Sequence, residues 1–133
     1  METPDLNKFS LILLHDGNAV FTSTDERLQP LFDCVARYRG QLSKCTLYDR
    51  TIGLAAARLI VFSEMISSVV TRVASLPAKE LLQRFNIPLV AERTVENILN
   101  KDKSDICPME KRALVTDDNG DFFKELEHLF VDK

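Results

Sequence analysis

A basic excess is missing from this chain: 17 Lys and Arg stand against 20 Asp and Glu, for a formal net charge of −3. Proteins devoted to DNA or RNA usually carry such an excess, because neutralising phosphates supplies much of their affinity. Nucleic acid is therefore not expected as the main partner. Long hydrophobic runs are missing too. The longest, Ile52 to Phe62, is interrupted by Arg58 and falls far short of the roughly 20 residues that cross a bilayer. No membrane segment is expected. Met1 to Lys8 (METPDLNK) has no basic stretch leading into an apolar one, so no signal peptide is expected either. Cysteine is scarce. Cys34, Cys45 and Cys107 are odd in number, widely spaced and form no CxxC pair. That argues against a disulfide framework and a zinc finger, and fits a reducing cytoplasm. Without internal repeats or a Gly/Ser linker, residues 1–133 read as a single domain.

What is present has the balance of a folded protein. The chain is 45% hydrophobic and 28% charged, close to the average for globular domains, and long enough to bury a core. Phe9 to Leu14, the Asp16-Gly17 turn signal and Ala19 to Thr22 predict a β-hairpin. Asp25 is placed to cap a helix beginning near Glu26, which Gly40 stops. Cys45 to Tyr48 reads as a short strand, broken at Asp49-Arg50-Thr51. A helix then runs from Ile52 to about Met65, apolar nearly all round and hence central. Val69 to Ala74 is strand-like, and Pro77 opens a helix ending near Asn86. Ile87 to Ala91 is a strand that Pro88 assigns to an edge or a strand start. Thr94 is expected to cap a short helix through Leu99, and Asn100 to Asp105 to form a polar loop. A helix starts around Cys107-Pro108, and an amphipathic helix closes the chain from Asp121 to Val131. Strands alternating with helices predict the α/β class: a three-layer α/β/α sandwich around a mixed sheet of about five strands.

This order of elements resembles the cytidine-deaminase-like fold. In particular DRTIGLAAARL (Asp49 to Leu59), SLPAKELLQRF (Ser75 to Phe85) and ILNKDKSDICPMEK (Ile98 to Lys111) are similar to a bacterial family of small proteins on that fold. The similarity spans roughly Leu11 to Val115, and the segment Asn100 to Glu110 is its most specific part. It implies a fold and no reaction. In the true deaminases a His or Cys followed by Glu opens the buried helix, and Pro-Cys-x-x-Cys opens the next. Three of those side chains hold a zinc that lowers the pKa of a bound water, and the Glu moves its proton. Here the first position falls in Gly53-Leu54-Ala55-Ala56-Ala57, with neither ligand nor Glu. At the second, Pro77 remains while Ala78 and Leu81 replace the thiolates. Zinc-dependent deamination is not expected. His15, Cys45 and Cys107 are too scattered in sequence to suggest a rebuilt site, and no metal or cofactor is expected.

Two segments keep polar, chemically capable residues. Asp49-Arg50-Thr51-Ile52-Gly53 stands at a strand-to-helix junction, where ligands collect at the carboxyl ends of strands. Free N–H groups at a helix start attract anions, and Gly53 permits close approach. Arg50, Thr51 and Gly53 are expected to contact a ligand. Asp49 is expected to serve as hydroxyl acceptor, base or nucleophile, against the plainer reading that Asp49 or Thr51 caps the helix. In the second segment, Cys107 precedes a proline-started helix whose dipole favours a thiolate. Glu110 lies three residues on as an acid, a base or a capping group. Asn100, Pro108 and Met109 are expected to line the same site. Arg58, alone in an apolar helix, is read as structural. The sequence holds no P-loop, GxGxxG or Ser-His-Asp order.

Two functions follow as expectations. The first is a small-ligand protein, one that binds a nucleotide or related metabolite or, as a zinc-independent enzyme, acts on it through Asp49, Cys107 and Glu110. The second is a non-catalytic interaction module working by homodimerisation, through the aromatic C-terminal helix or the edge strand near Pro88.

Overall fold

The Asp16-Gly17 pair makes the first turn, with φ of 52° and 80°. These are the positive values that the twist of a two-residue hairpin requires. It joins β1 (Leu11–His15) to β2 (Asn18–Ser23). The computed structural model describes residues 4–100 and 102–131. α1 (Gln29–Tyr38) begins later than expected. Asp25 does not cap it: the Asp25 carboxylate accepts the Arg27 backbone N–H at 2.9 Å and pairs with the Arg27 guanidinium. Gly40, at φ 84°, follows the helix end.

β3 spans Cys45–Ile52, α2 Leu54–Ser63, β4 Ile66–Ser75, α3 Leu76–Arg84 and β5 Leu89–Val95. β3 therefore runs through Asp49-Arg50-Thr51 instead of breaking there. As a central strand it pairs with β1 as far as Asp49 and with β4 as far as Ile52, and that ladder outweighs local capping by Asp49 or Thr51. The same competition removes the short helix expected from Thr94. Arg93, Thr94 and Val95 pair in parallel with Val73, Ala74 and Ser75, and a bridge between Leu99 and Ile106 then closes the polar loop. Ser75 caps α3, accepting the Ala78 N–H at 3.3 Å, with Pro77 in the first turn. α4 (Pro108–Val115) and α5 (Asn119–Phe130) complete the chain, the latter capped by Asp118.

The sheet is mixed and five-stranded, in the order β2-β1-β3-β4-β5, with β1 antiparallel to both neighbours and β3, β4 and β5 parallel. The α/β class and the strand count are as expected. Successive crossovers of one hand put α2 and α3 on the same face, and α2 also touches α1, α4 and α5. One cluster, with Leu13, Leu47 and Val69 from the sheet and Ile60, Leu82 and Phe122 from helices, forms the core. The opposite face carries a cross-strand row, Ile12–Tyr48–Val70–Val90, outside that core.

Two expected features resolve simply. Phe62, Phe123 and Phe32 stack in sequence with ring centroids 4.6 and 4.9 Å apart, and Phe130 meets Phe32 edge-on. The α5 aromatics thus dock onto α1 and α2 instead of offering an outward patch. Arg58 is structural: its Nε donates to the Ala113 carbonyl and its Nη1 to Asn119 Oδ1, both at 2.9 Å. It ties α2 to the end of α4 and the start of α5. No helix among the described residues is long and apolar enough to cross a membrane.

Candidate functional site

At the carboxyl ends of β3 and β4 the chain encloses a cavity of about 710 Å³, within the usual size of small-molecule pockets. Asp49, Arg50, Thr51 and Gly53 line one side of it, and Asn100, Cys107, Pro108, Met109 and Glu110 another. Two segments some fifty residues apart therefore converge as the sequence suggested. β3 contributes residues of both parities, so the cavity runs over the carboxyl edge of the sheet.

Asp49 stands on the helix-covered face, between Leu11 of β1 and Thr71 of β4. Burial among these neighbours raises its carboxyl pKa to about 7, against weaker opposing help from the Thr51 and Arg50 backbone and the Arg50 charge. An acid so poised can accept a hydrogen bond or exchange a proton near neutrality.

Glu110 has a different job from the one expected. Its carboxylate reaches across to α2 and accepts the N–H groups of Leu54 at 2.6 Å and Ala55 at 2.8 Å. It is the N-terminal cap of α2, supplied from α4. Burial raises its pKa, while those two N–H groups pull it back down. Gly53, the N-cap residue of α2, carries an ordinary negative φ of −99°. It is needed for space, because a methyl there would collide with the Glu110 carboxylate. The anion site foreseen at the start of α2 is thus occupied by the protein's own carboxylate, and Gly53 admits Glu110 to it.

Cys107 is the N-cap residue of α4, half-buried, and its N–H donates to the Ile98 carbonyl at 3.0 Å. Pro108 starts the helix, and Met109 packs against the core. Asn100 spends much of its amide on the loop: its Oδ1 accepts the Ser104 N–H at 3.1 Å, and its Nδ2 lies 3.4 Å from Ser104 Oγ. Thr51 is exposed at the rim, its N–H 3.5 Å from Asp49 Oδ1. Among the described residues no three His, Cys, Asp or Glu side chains gather as metal ligands would.

The sequence reading missed part of the wall: Glu26, Arg27 and Leu28 before α1, Arg72 of β4 and Phe130 of α5. Arg72 had a local signal, a cation interrupting the apolar strand VVTRVA. The others had none, since only packing brings them there.

A family model described as TM1506, a domain of unknown function (DUF1893), matches residues 5–130. A crystal structure of a DUF1893 family protein (TM1506) from Thermotoga maritima is similar, with a TM-score of 0.84 and 25% identity over 93% of this chain and 82% of that one. No curated protein matches.

Proposed function

The chain belongs to the DUF1893 family, and from its cavity we propose that it binds a small ligand, a nucleotide or related metabolite. The observation that carries this reading is the convergence of Asp49, Arg50 and Thr51 with Asn100 and Cys107 on one cavity of about 710 Å³. Leu28, Leu31, Ala55, Ala56 and Phe130 give it apolar surface for a ring, and the polar groups are few and convergent, as in ligand sites generally. We read the fold as cytidine-deaminase-like. Ala78 and Leu81 are core residues at the start of α3, and Glu110 caps α2. If the protein is an enzyme, Asp49 is the proton-exchanging group and Cys107 the nucleophile at the cavity wall. Glu110 is then a positioning residue that holds α2.

Native mass spectrometry of the freshly purified protein, beside a denatured control, tests the reading. The expected result is a co-purifying small mass released on denaturation. Titration with nucleosides and nucleotides should then show binding that Asp49→Ala and Cys107→Ala weaken. Full binding by both variants, or no ligand bound by the native chain, overturns it.

A second reading, a homodimeric interaction module, is favoured by one observation. Tyr48, Val70 and Val90 form a cross-strand row outside the helical core, and Val90 is 63% exposed. Two copies laid face to face at about 10 Å would bury it on both sides. Size-exclusion with light scattering should then give twice the chain mass, reverting to the monomer mass in Val90→Lys. A strict monomer at micromolar concentration counts against it.

A further inference from the structure

We propose that Arg50 and Arg72 form the anion-recognising end of the cavity and that the ligand carries a phosphate monoester there. This rests on the ligand-binding reading above and adds the ligand's charge and orientation.

The register pairs Asp49 with Thr71 and Thr51 with Val73, so Arg50 and Arg72 stand side by side on neighbouring strands and share one face of the sheet. Like charges placed so repel each other, unless an anion lies between them. Both line the cavity. Arg50 pairs with the Glu26 carboxylate and donates to the Leu6 carbonyl at 2.7 Å. Arg72 has no carboxylate partner among the described residues, although Glu92 is its neighbour across β5. Of the two guanidiniums, Arg50 alone forms an ion pair among the described residues.

What joins them is one neutral residue. The Asn7 carbonyl accepts from Arg50 at 3.2 Å, and Asn7 Oδ1 accepts from Arg72 at 2.5 Å. Two oxygens of an exposed asparagine stand where the oxygens of a bridging anion would. A phosphate monoester carries about −1.5 to −2 charges and three acceptor oxygens, enough to serve both guanidiniums. A single carboxylate saturates one. The other natural anion site, the start of α2, is closed to the ligand because Glu110 already holds its two N–H groups. With the phosphate at the arginines, the body of the ligand lies over the carboxyl edge of the sheet. A hydroxyl or amine on it meets Asp49 among the apolar side chains.

The test compares matched pairs, adenosine with its 5′-monophosphate and cytidine with its 5′-monophosphate, by titration calorimetry on the full chain. In the native protein at least one monophosphate should bind about tenfold or more tightly than its nucleoside, an advantage that added salt reduces. Arg72→Gln should bring the pair to within about twofold, as expected when a charge-assisted contact is lost. The Arg72 side chain makes one hydrogen bond among the described residues, to Asn7 Oδ1, so this variant should keep its melting temperature. Asn7→Asp, an exposed change that places a carboxylate between the arginines, should erase the same advantage and leave nucleoside affinity unchanged. Nucleosides binding as tightly as monophosphates, or an advantage that survives Arg72→Gln, overturns the phosphate assignment and leaves ligand binding standing. No binding by any member of either pair removes the ligand reading and this inference with it.

Discussion

Replacing Glu110 with alanine should destabilise the fold by about 2–4 kcal/mol, the largest single-residue effect expected at the site. The Leu54 and Ala55 N–H groups are buried at the start of α2, and the Glu110 carboxylate is their common partner. Hydrogen bonds to a charged group contribute about 1.5–3 kcal/mol each, and a donor stranded without a partner costs a similar amount. Water from the adjoining cavity can replace part of the lost contact, which keeps the expectation below the sum. Gly53→Ala should do comparable damage by pushing the same carboxylate away. The two changes should therefore not add: once Glu110 is alanine, the further cost of Gly53→Ala should fall below about 1 kcal/mol. Urea unfolding of the two single variants and the double variant decides the matter. Additive losses would mean that Gly53 and Glu110 act independently.

Asp49→Asn should do the opposite at alkaline pH and stabilise the protein. The unfolded chain gives up the Asp49 proton around 3.8, whereas the folded chain keeps it up to about 7. Between those values the unfolded state binds fewer protons, so this residue's contribution to stability falls as pH rises. The span from 3.8 to about 7 sets a ceiling near 4 kcal/mol. Water in the cavity solvates part of the charge, and a gain of about 1–2 kcal/mol at pH 8 is expected for the variant. Near pH 4 the two proteins should be equally stable. Ligand affinity should fall in the same variant, because Asn offers one oxygen in place of a carboxylate. Chemical denaturation across pH 4 to 8 reads the difference directly. An Asn variant no more stable than the native chain at pH 8 would show that Asp49 is solvated and ionised in the fold.

The two site segments were legible from their chemistry, yet the division of labour within them was not. Asp49 looked like a cap because Asp before a helix often is one. That reading failed because β3 is a central strand paired on both sides, which the local sequence around Tyr48 does not reveal. Glu110 looked catalytic, or like a cap for its own helix. Its actual partners lie 56 and 55 residues earlier, and no spacing rule reaches so far. Thr94 failed in the same way as Asp49, through ladder pairing with Ala74.

By itself the sequence determined the elements whose cause is local. The Asp16-Gly17 turn follows from backbone sterics, the Pro77 start of α3 from a fixed φ, and the central place of α2 from apolar residues on every side. The convergence of Asp49 and Cys107 was inferred from a resemblance in element order, and the wall they share agrees with it. Only the tertiary structure decided which face of the sheet the helices cover, which carboxylate caps α2, and that Arg50 and Arg72 stand together over Asn7. Each of these depends on which distant segments meet, and a pairing between distant segments leaves no periodicity in the sequence from which it could be read.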